Sequence, residues 1–381
     1  MSSRRLVFVL PDASDLVTGG NIYNRELVDA ARRHRAIEAV SVADWERHVA
    51  AGEPGTYFVD TLNMRELLRA VPAPPEARRA GRQRFVLVVH LLPSMDPARA
   101  AGDPALAVEE AAVPRFDGFL VTSAYTAGVL RARGLTQPCL VVPPGLPHRP
   151  RPPLAYRPGA RALLVGNLVA NKGVLPFIHA LAAALPRAGG RGAAPTVPLT
   201  IDVVGRADLD PDHAAACLRA ARAAGLTGEA DGDGGGGGRA EGHGEAEGGP
   251  AIIRFRGPTA YDDMDRHYRD ASLLLSPSLM ETFGMALQEA RAFGLPILAC
   301  RVGNTAAHIE EGVTGHLYDS AADLVNGLLE LVRSPDRLRA LFMSAQAARA
   351  GGDYTWDAAA REFLRQQGDL EAAAAGPGAT R

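Results

Sequence analysis

Ser276 to Asp319 reads SPSLMETFGMALQEARAFGLPILACRVGNTAAHIEEGVTGHLYD. Its signals come in a telling order. The apolar run Leu273–Ser276 is a buried strand that closes at Ser276-Pro277-Ser278. Glu281 follows, then a Thr282-Phe283-Gly284 turn, then an amphipathic helix with Glu289 inside it, and Pro296–Cys300 forms the next strand. Strand, helix and strand in this order form a βαβ unit of a parallel sheet. The helix start near Phe283, Gly284 and Met285 offers free N–H groups and a positive dipole end, which suit a phosphate. Glu281 and Glu289, eight positions apart, can accept hydroxyl hydrogen bonds on either side of it. The segment therefore suits a ligand that is both polyhydroxylated and anionic, such as a sugar, a phosphate and a ribose in a row.

The same alternation extends in both directions. Leu6–Pro11, Tyr57–Leu62, Phe85–Leu92, Gly118–Ser123 and Cys139–Val142 read as strands of a first half, with helices at Asn21–His34 and Ala124–Arg133. Continuous apolar runs of this kind mark strands buried on both faces of a parallel sheet. Asp12–Gly20, with its Gly-Gly pair, reads as a loop. Arg161–Gly166, Leu199–Gly205, Ile252–Gly257, Leu273–Ser276 and Pro296–Cys300 are the strands of a second half. Its helices fall at Gly173–Leu185, His213–Ala224, Ala321–Arg333 and Pro335–Ala350. The Pro- and Arg-rich stretch Leu146–Ala160 is the best linker. Residues 228–249 (GEADGDGGGGGRAEGHGEAEGG) cannot bury apolar surface and read as a disordered insertion, so His243 within it carries no expected role. Ala372–Arg381 reads as a frayed tail.

Length and composition narrow the function. The chain has 381 residues, enough for two domains, and its net charge of −2 argues against a nucleic-acid binder that relies on phosphate attraction. The halves either side of Pro150 are close to neutral. Cys139, Cys217 and Cys300 lie far apart without metal-like spacing, which fits a reducing, cytoplasmic compartment. The N-terminal apolar run ends at Pro11-Asp12 and reads as a first strand rather than a signal peptide. No stretch is long enough to span a bilayer. Among 41 basic residues only Lys172 is a lysine. It stands just before a helix and beside Gly173, where a compact ammonium would meet a phosphate that a guanidinium fork would not fit.

These motifs resemble those of the retaining GT-B glycosyltransferases with an E-x7-E motif, the family 4 type. Glu281, Phe283-Gly284 and Glu289 match that motif. Val165-Gly166-Asn167-Leu168 with Asn171-Lys172-Gly173 resembles the family's Gly-Arg-Leu and Lys-Gly segment. Phe255-Arg256-Gly257 and the helix ending at Ala271 resemble its base-binding region, and Gly312-Val313-Thr314-Gly315 its late glycine motif. Tyr354-Thr355-Trp356 resembles the start of its C-terminal helix. The first half matches more thinly, through Gly19-Gly20, His90, Ser123 and Pro143-Pro144-Gly145.

The resemblance implies an α/β fold of the GT-B class, with two Rossmann-like doubly wound domains facing a cleft and a C-terminal helix crossing back to the first domain. The cleft would hold the ligand. Domain boundaries follow at 1–150 on the acceptor side, 151–353 for the nucleotide sugar, and 354–381 for the crossover helix. The implied reaction moves a hexosyl-type group from a nucleotide-diphosphate sugar, UDP or GDP, to a saccharide, lipid or small metabolite. It would proceed with retention and with no metal or other cofactor. His90, Lys172 and Glu281 are the implied catalytic residues. Gly19, Gly20, Asn167, Lys172, Gly257, Thr259, Glu281, Thr282, Phe283, Gly284, Met285 and Glu289 would bind the donor, with Glu281 on the sugar, Glu289 on the ribose and the base near Gly257–Thr259. Asp60 and His90 would face the acceptor.

Two positions depart from the pattern. Asn167 stands where the family has an arginine, so the site is short of one charge unless Arg206 replaces it. Ala307 stands where many relatives carry an acid. Arg78, Arg79, Arg82 and Arg84, with Arg32, Arg33 and Arg35, read as a solvated face, ahead of peripheral contact with anionic membrane. Asp208-Leu209-Asp210 and Asp231-Gly232-Asp233 are the Asp-x-Asp patterns considered, and no cluster has metal-ligand spacing. Three other readings compete: an inactive nucleotide-sugar-binding protein of this fold, which Asn167 favours, an epimerase, and a dehydrogenase, which the absence of G-x-G-x-x-G disfavours.

Overall fold

The computed structural model describes residues 4–10, 18–61, 71, 83–185, 198–227, 251–349 and 354–375. Arg78, Arg79 and Arg82, the 228–249 tract with Asp231, Asp233 and His243, the end of the tail after residue 375 and most of the Asp12–Gly20 loop lie outside them. The chain divides into two units. One comprises Met1–Pro150, Met280–Met285 and Gly351–Arg381, the other Arg151–Leu279 and Ala286–Ala350.

The first unit is built on β1 (Leu6–Val9), β2 (Ile37–Val40), β3 (Gly55–Asp60), β4 (Gln83–Val89), β5 (Gly118–Val121) and β6 (Cys139–Val141). All pair in parallel, in the order β2-β1-β3-β4-β5-β6. Strand β1 is apolar throughout because both of its faces are covered, and every one of its residues is buried. Helices α1 (Gly19–Arg32), α2 (Val42–Ala50), α3 (Pro104–Ala112) and α4 (Ala124–Ala132) connect them.

Gly19 and Gly20, expected in a loop, are instead the first residues of α1. Thr18 caps the helix, its hydroxyl accepting from the Asn21 N–H at 3.2 Å. This cap nucleates the turn despite the poor helix propensity of glycine. Strand β2 and helices α2 and α3 give weaker sequence signals. Only Ile37 of β2 is buried, because β2 is an edge strand.

The second unit carries β7 (Ala160–Val165), β8 (Leu199–Val204), β9 (Ala251–Gly257), β10 (Leu273–Ser276), β11 (Ile297–Cys300) and β12 (Gly315–Tyr318), all parallel, in the order β12-β11-β10-β7-β8-β9. Its helices are α5 (Val174–Ala184), α6 (Pro211–Ala223), α7 (Asp265–Asp270), α8 (Met285–Phe293), α9 (Ala321–Arg333) and α10 (Pro335–Ala347). Alternate residues face opposite layers. Ala162, Leu164, Ile201, Val203 and Ile253 join one core with α5, α6 and α9. Leu163, Leu274, Ile297 and Ala299 join another with Tyr268, Leu287 and Phe293. On β8 and β9 this second face changes character, to Thr200, Asp202, Arg254 and Arg256, all at least partly exposed.

The chain then returns to the first unit as α11 (Trp356–Ala375). Phe363 is fully buried, with its ring 5.1 Å from that of Phe58 and 5.6 Å from that of Phe8. Burial of such a ring contributes about 2–3 kcal/mol. Gln366 exchanges hydrogen bonds with the N–H and carbonyl of Val141, at 2.8 and 2.9 Å. Gly145 lets the helix start approach: a Cβ there would lie 2.3 Å from the Trp356 nitrogen. Arg33 and Arg35 of the expected solvated face are ion-paired to this helix, with Asp357 at 3.5 Å and Glu371 at 3.6 Å. Arg84 donates to the Leu370 carbonyl at 3.3 Å.

Candidate functional site

Open parallel sheets bind ligands outside the carboxyl ends of their strands, where the strand order reverses. In the second unit the chain runs from β7 outward to β8 and β9, then returns to the other side of β7 as β10. The reversal falls between β7 and β10. The loop after β7 is Gly166–Gly173, with Asn167 and Lys172. The loop after β10 is Pro277–Gly284, with Glu281. Two patterns that are over a hundred residues apart in sequence thus become neighbours.

Their contact is close. Lys172 ends a 3-10 turn, and Gly173 adopts the left-handed conformation, with φ 66° and ψ 15°, before α5 begins. A Cβ on Gly173 would lie 2.0 Å from the Pro277 carbonyl oxygen. The Leu279 N–H donates to the Asn171 carbonyl at 2.8 Å. The Lys172 stem lies over Gly166, its Cγ and Cδ 3.4 Å from where a Cβ would stand. Two glycines therefore set where the only lysine of the chain sits.

Asn167 is not a bare loss of charge. Its side-chain oxygen accepts from the Arg206 N–H at 3.0 Å, and the Leu168 N–H donates to the Arg206 carbonyl at 2.8 Å. Asn167 braces the exits of β7 and β8 together. Arg206 does not replace the missing charge freely, because its guanidinium grips Asp208 through two hydrogen bonds. That pairing holds the Asp208 carboxyl below its ordinary range. Asp210 caps α6 by accepting from the His213 N–H at 3.1 Å. Both carboxylates of this Asp-x-Asp pattern thus have local partners.

At the next strand exit Gly257 is left-handed, with φ 71°, and its carbonyl accepts from the Gly205 N–H at 3.0 Å. Thr259 is buried, with Oγ1 3.0 Å from Nε2 of His267. Burial, then the charge of Arg266, push the His267 pKa down, which keeps this ring neutral. Glu289 lies one turn into α8 and accepts from the Tyr268 hydroxyl at 2.5 Å. Tyr268 is 1% exposed and stacks on Phe293 at 5.2 Å. Burial first, then the Glu289 charge, hold its hydroxyl protonated and therefore a donor. Tyr268 thus orients Glu289, a role its sequence context does not announce.

Met280–Met285 groups with the first unit. The Thr282 carbonyl accepts from Ser123 Oγ at 2.6 Å, and Ser123 also caps α4. Met285 Sδ lies 3.7 Å from where a Gly19 Cβ would stand. Gly284 has φ 95°, a conformation natural only to glycine, and turns the chain into α8.

The first unit has its own strand-order reversal, between β1 and β3. Gly19 and Gly20 follow β1, Asp60 ends β3 and His90 follows β4. The structure brings them together. A Cβ on Gly20 would lie 2.9 Å from the His90 ring. Nε2 of His90 is 3.2 Å from an Asp60 carboxylate oxygen and 3.1 Å from Asn24 Oδ1. The Asn24 amide donates to Asp60 at 2.5 Å, and both residues are buried. With two acceptors facing it, Nε2 carries a hydrogen, which leaves Nδ1 as the ring atom that can face a ligand. Asn24 does not figure in the sequence reading. Its signal is a polar residue on the buried α1 face with Leu27, Val28 and Ala31, at helical spacing.

Comparison with known proteins shows what the chain is similar to. Residues 232–334 match the family model described as Glycosyl transferases group 1. The D-inositol 3-phosphate glycosyltransferase of Rhodococcus opacus (strain B4) is 36% identical over 116 residues, 30% of this chain and 26% of the relative. That of Mycobacterium tuberculosis (strain F11) is 32% identical over 131 residues, 32% of this chain and 27% of the relative. The chain thus spans about a quarter of the length of these curated relatives. Among solved structures, sucrose-phosphate synthase from Thermosynechococcus elongatus has a TM-score of 0.69 at 18% identity and covers 97% of this chain and 100% of its own. Anabaena Alr3699/HepE in complex with UDP and glucose has a TM-score of 0.65 at 16% identity, over 97% and 100%. The chain has the two-domain α/β fold of the GT-B type that these structures share. Among the described residues, no helix is long and apolar enough to cross a membrane.

Proposed function

We propose that this chain is a retaining glycosyltransferase that moves a hexosyl-type group from a nucleotide-diphosphate sugar to an acceptor. One observation carries the reading: Gly173 seats Lys172 against the exit of β10, at the strand-order reversal and on the same loop that leads through Glu281 to the start of α8. A diphosphate there would meet one ammonium and one helix dipole. The match to the glycosyl transferase model supports glycosyl transfer, and the UDP in the HepE complex makes a uridine nucleotide the first donor to test.

Glu289, oriented by Tyr268, takes the ribose hydroxyls, and Glu281 takes those of the sugar. The backbone at Gly257–Thr259 receives the base. Bond breaking at the anomeric carbon places negative charge on the departing phosphate. The Lys172 ammonium and the α8 N–H groups stabilise it without a metal. The acceptor hydroxyl attacks from the face the phosphate leaves, and its proton passes to that phosphate. His90, with Nε2 fixed by Asp60 and Asn24, presents Nδ1 on the acceptor side.

The test is a panel of uridine and guanosine diphosphate sugars incubated with purified protein, with EDTA present. Turnover of a uridine donor is expected, with the anomeric configuration retained in the NMR spectrum of the product. Binding without turnover across all donors would overturn the transferase reading and leave a nucleotide-sugar-binding protein. An inverted product would sink retention.

Asn167→Arg gives a second check. If the position were merely short of a charge, this change would raise donor affinity. Because Asn167 braces two strand exits, affinity is expected to fall by roughly fivefold, corresponding to a lost hydrogen bond of about 1 kcal/mol. Calorimetry with UDP decides between the two, and tighter binding by the variant would refute the bracing role.

A further inference from the structure

The second unit has a cavity of about 350 Å³ on the sheet face under α7, away from the β7 and β10 exits. Arg161 of β7, Arg254 and Arg256 of β9, and Arg266 of α7 line it, together with Asp202 and Asp270. The pleat explains why they converge. Arg161 pairs with Thr200, Leu163 with Asp202, and Asp202 in turn with Arg254, so these side chains share one face. Arg254 and Arg256 are two apart on the same strand.

The acids do not balance this charge. Asp202 accepts from Arg256 at 2.7 Å, and Asp270 from Arg157, outside the cavity lining, at 3.1 Å. Arg161, Arg254 and Arg266 have no side-chain hydrogen-bond or ion-pair partner among the described residues. Three guanidiniums of one sign thus line one concavity. The neutral His267 beside them adds a donor or acceptor without opposing charge.

We propose that this cavity is a second anion site, one that takes a small molecule bearing two or more phosphate groups. Guanidinium forks match phosphate oxygens in pairs, and arginine is the residue best suited to such recognition. The volume lies at the lower end of the range of small-molecule sites, about 300–1,000 Å³, and its concavity fits a compact ligand rather than a flat surface. Thr259, given above to the donor's base, also lies on the cavity lining, but none of the arginines belongs to the Lys172 loop, so the anion site does not depend on the diphosphate assignment.

Calorimetric titration of the full chain tests it, with inorganic pyrophosphate and fructose 1,6-bisphosphate as probes. The Lys172→Ala variant serves as the parent, so that the β7–β10 loops contribute little. One equivalent is expected to bind this parent, and Arg161→Gln/Arg254→Gln/Arg266→Gln added to it is expected to weaken binding at least tenfold with an unchanged melting temperature. Tighter binding of the bisphosphate assigns an organic phosphate, and tighter binding of pyrophosphate an inorganic one. A control carrying Arg131→Gln/Arg222→Gln/Arg337→Gln, at exposed arginines elsewhere, should bind as the parent does. No binding to the parent, undiminished binding in the cavity variant, or an equal loss in the control would each overturn the site.

Discussion

Lys172→Ala is expected to reduce kcat/KM for transfer by roughly 10²–10³-fold while the melting temperature stays within a degree or two of the unaltered protein. The magnitude is that of removing one fixed group which stabilises charge developing in a transition state. The fold should tolerate the change because the Lys172 stem lies over Gly166 and Lys172 belongs to neither core cluster of the second unit. Lys172→Arg is expected to rescue little. The guanidinium is a planar fork rather than a compact ammonium, and Gly166 and Gly173 leave space for the narrower stem. Steady-state kinetics with a saturating acceptor measures both variants, and near-normal turnover in Lys172→Ala would remove the diphosphate assignment.

Gly173→Ala should be a strongly damaging single-methyl change at the candidate site of the second unit. Two penalties coincide. The left-handed backbone, φ 66° and ψ 15°, costs a non-glycine residue about 1–2 kcal/mol. The added Cβ would also stand 2.0 Å from the Pro277 carbonyl oxygen, which forces the loops after β7 and β10 apart. Overpacking of this kind costs about 1–3 kcal/mol more. Urea denaturation should therefore show a loss of roughly 2–5 kcal/mol, and turnover should fall with it because Lys172 rides on the displaced loop. Gly257→Ala is the control. Its φ of 71° is just as unfavourable for alanine, yet nothing lies within 4 Å of the added methyl. If the two variants lose equal stability, the close packing of Gly173 on Pro277 is not what holds these loops.

The legible parts of the fold are those where one physical signal dominates. β1, β4 and β10 announce themselves as continuous apolar runs because both of their faces are covered. β2 and β12 do not, since an edge strand buries few residues and its pattern fades. In the candidate site, Glu281, Glu289 and Lys172 were the residues that residue type and spacing single out as expectations. Asn24 and Tyr268 were not. Each acts on a partner distant in sequence, Asn24 on Asp60 and His90 and Tyr268 on Glu289, so its own neighbours carry no trace of the role. Asn167 shows the converse case. As a residue type it suggests a missing charge, and only its bond to the Arg206 N–H reveals a brace.

Sequence alone determined the alternating α/β character, the two halves, and the chemistry on offer: two carboxylates flanking a helix start, one lysine, and a histidine at a strand end. These are local properties, written in periodicity and in which side chains can carry charge. Tertiary structure alone decided what that chemistry faces. The order β10-β7-β8-β9 makes neighbours of loops that are over a hundred residues apart. Gly173 brings them into contact, and the pleat turns Arg161, Arg254 and Arg256 toward one cavity. Such juxtapositions depend on strand order and register, which non-local pairing sets and no single stretch of chain encodes.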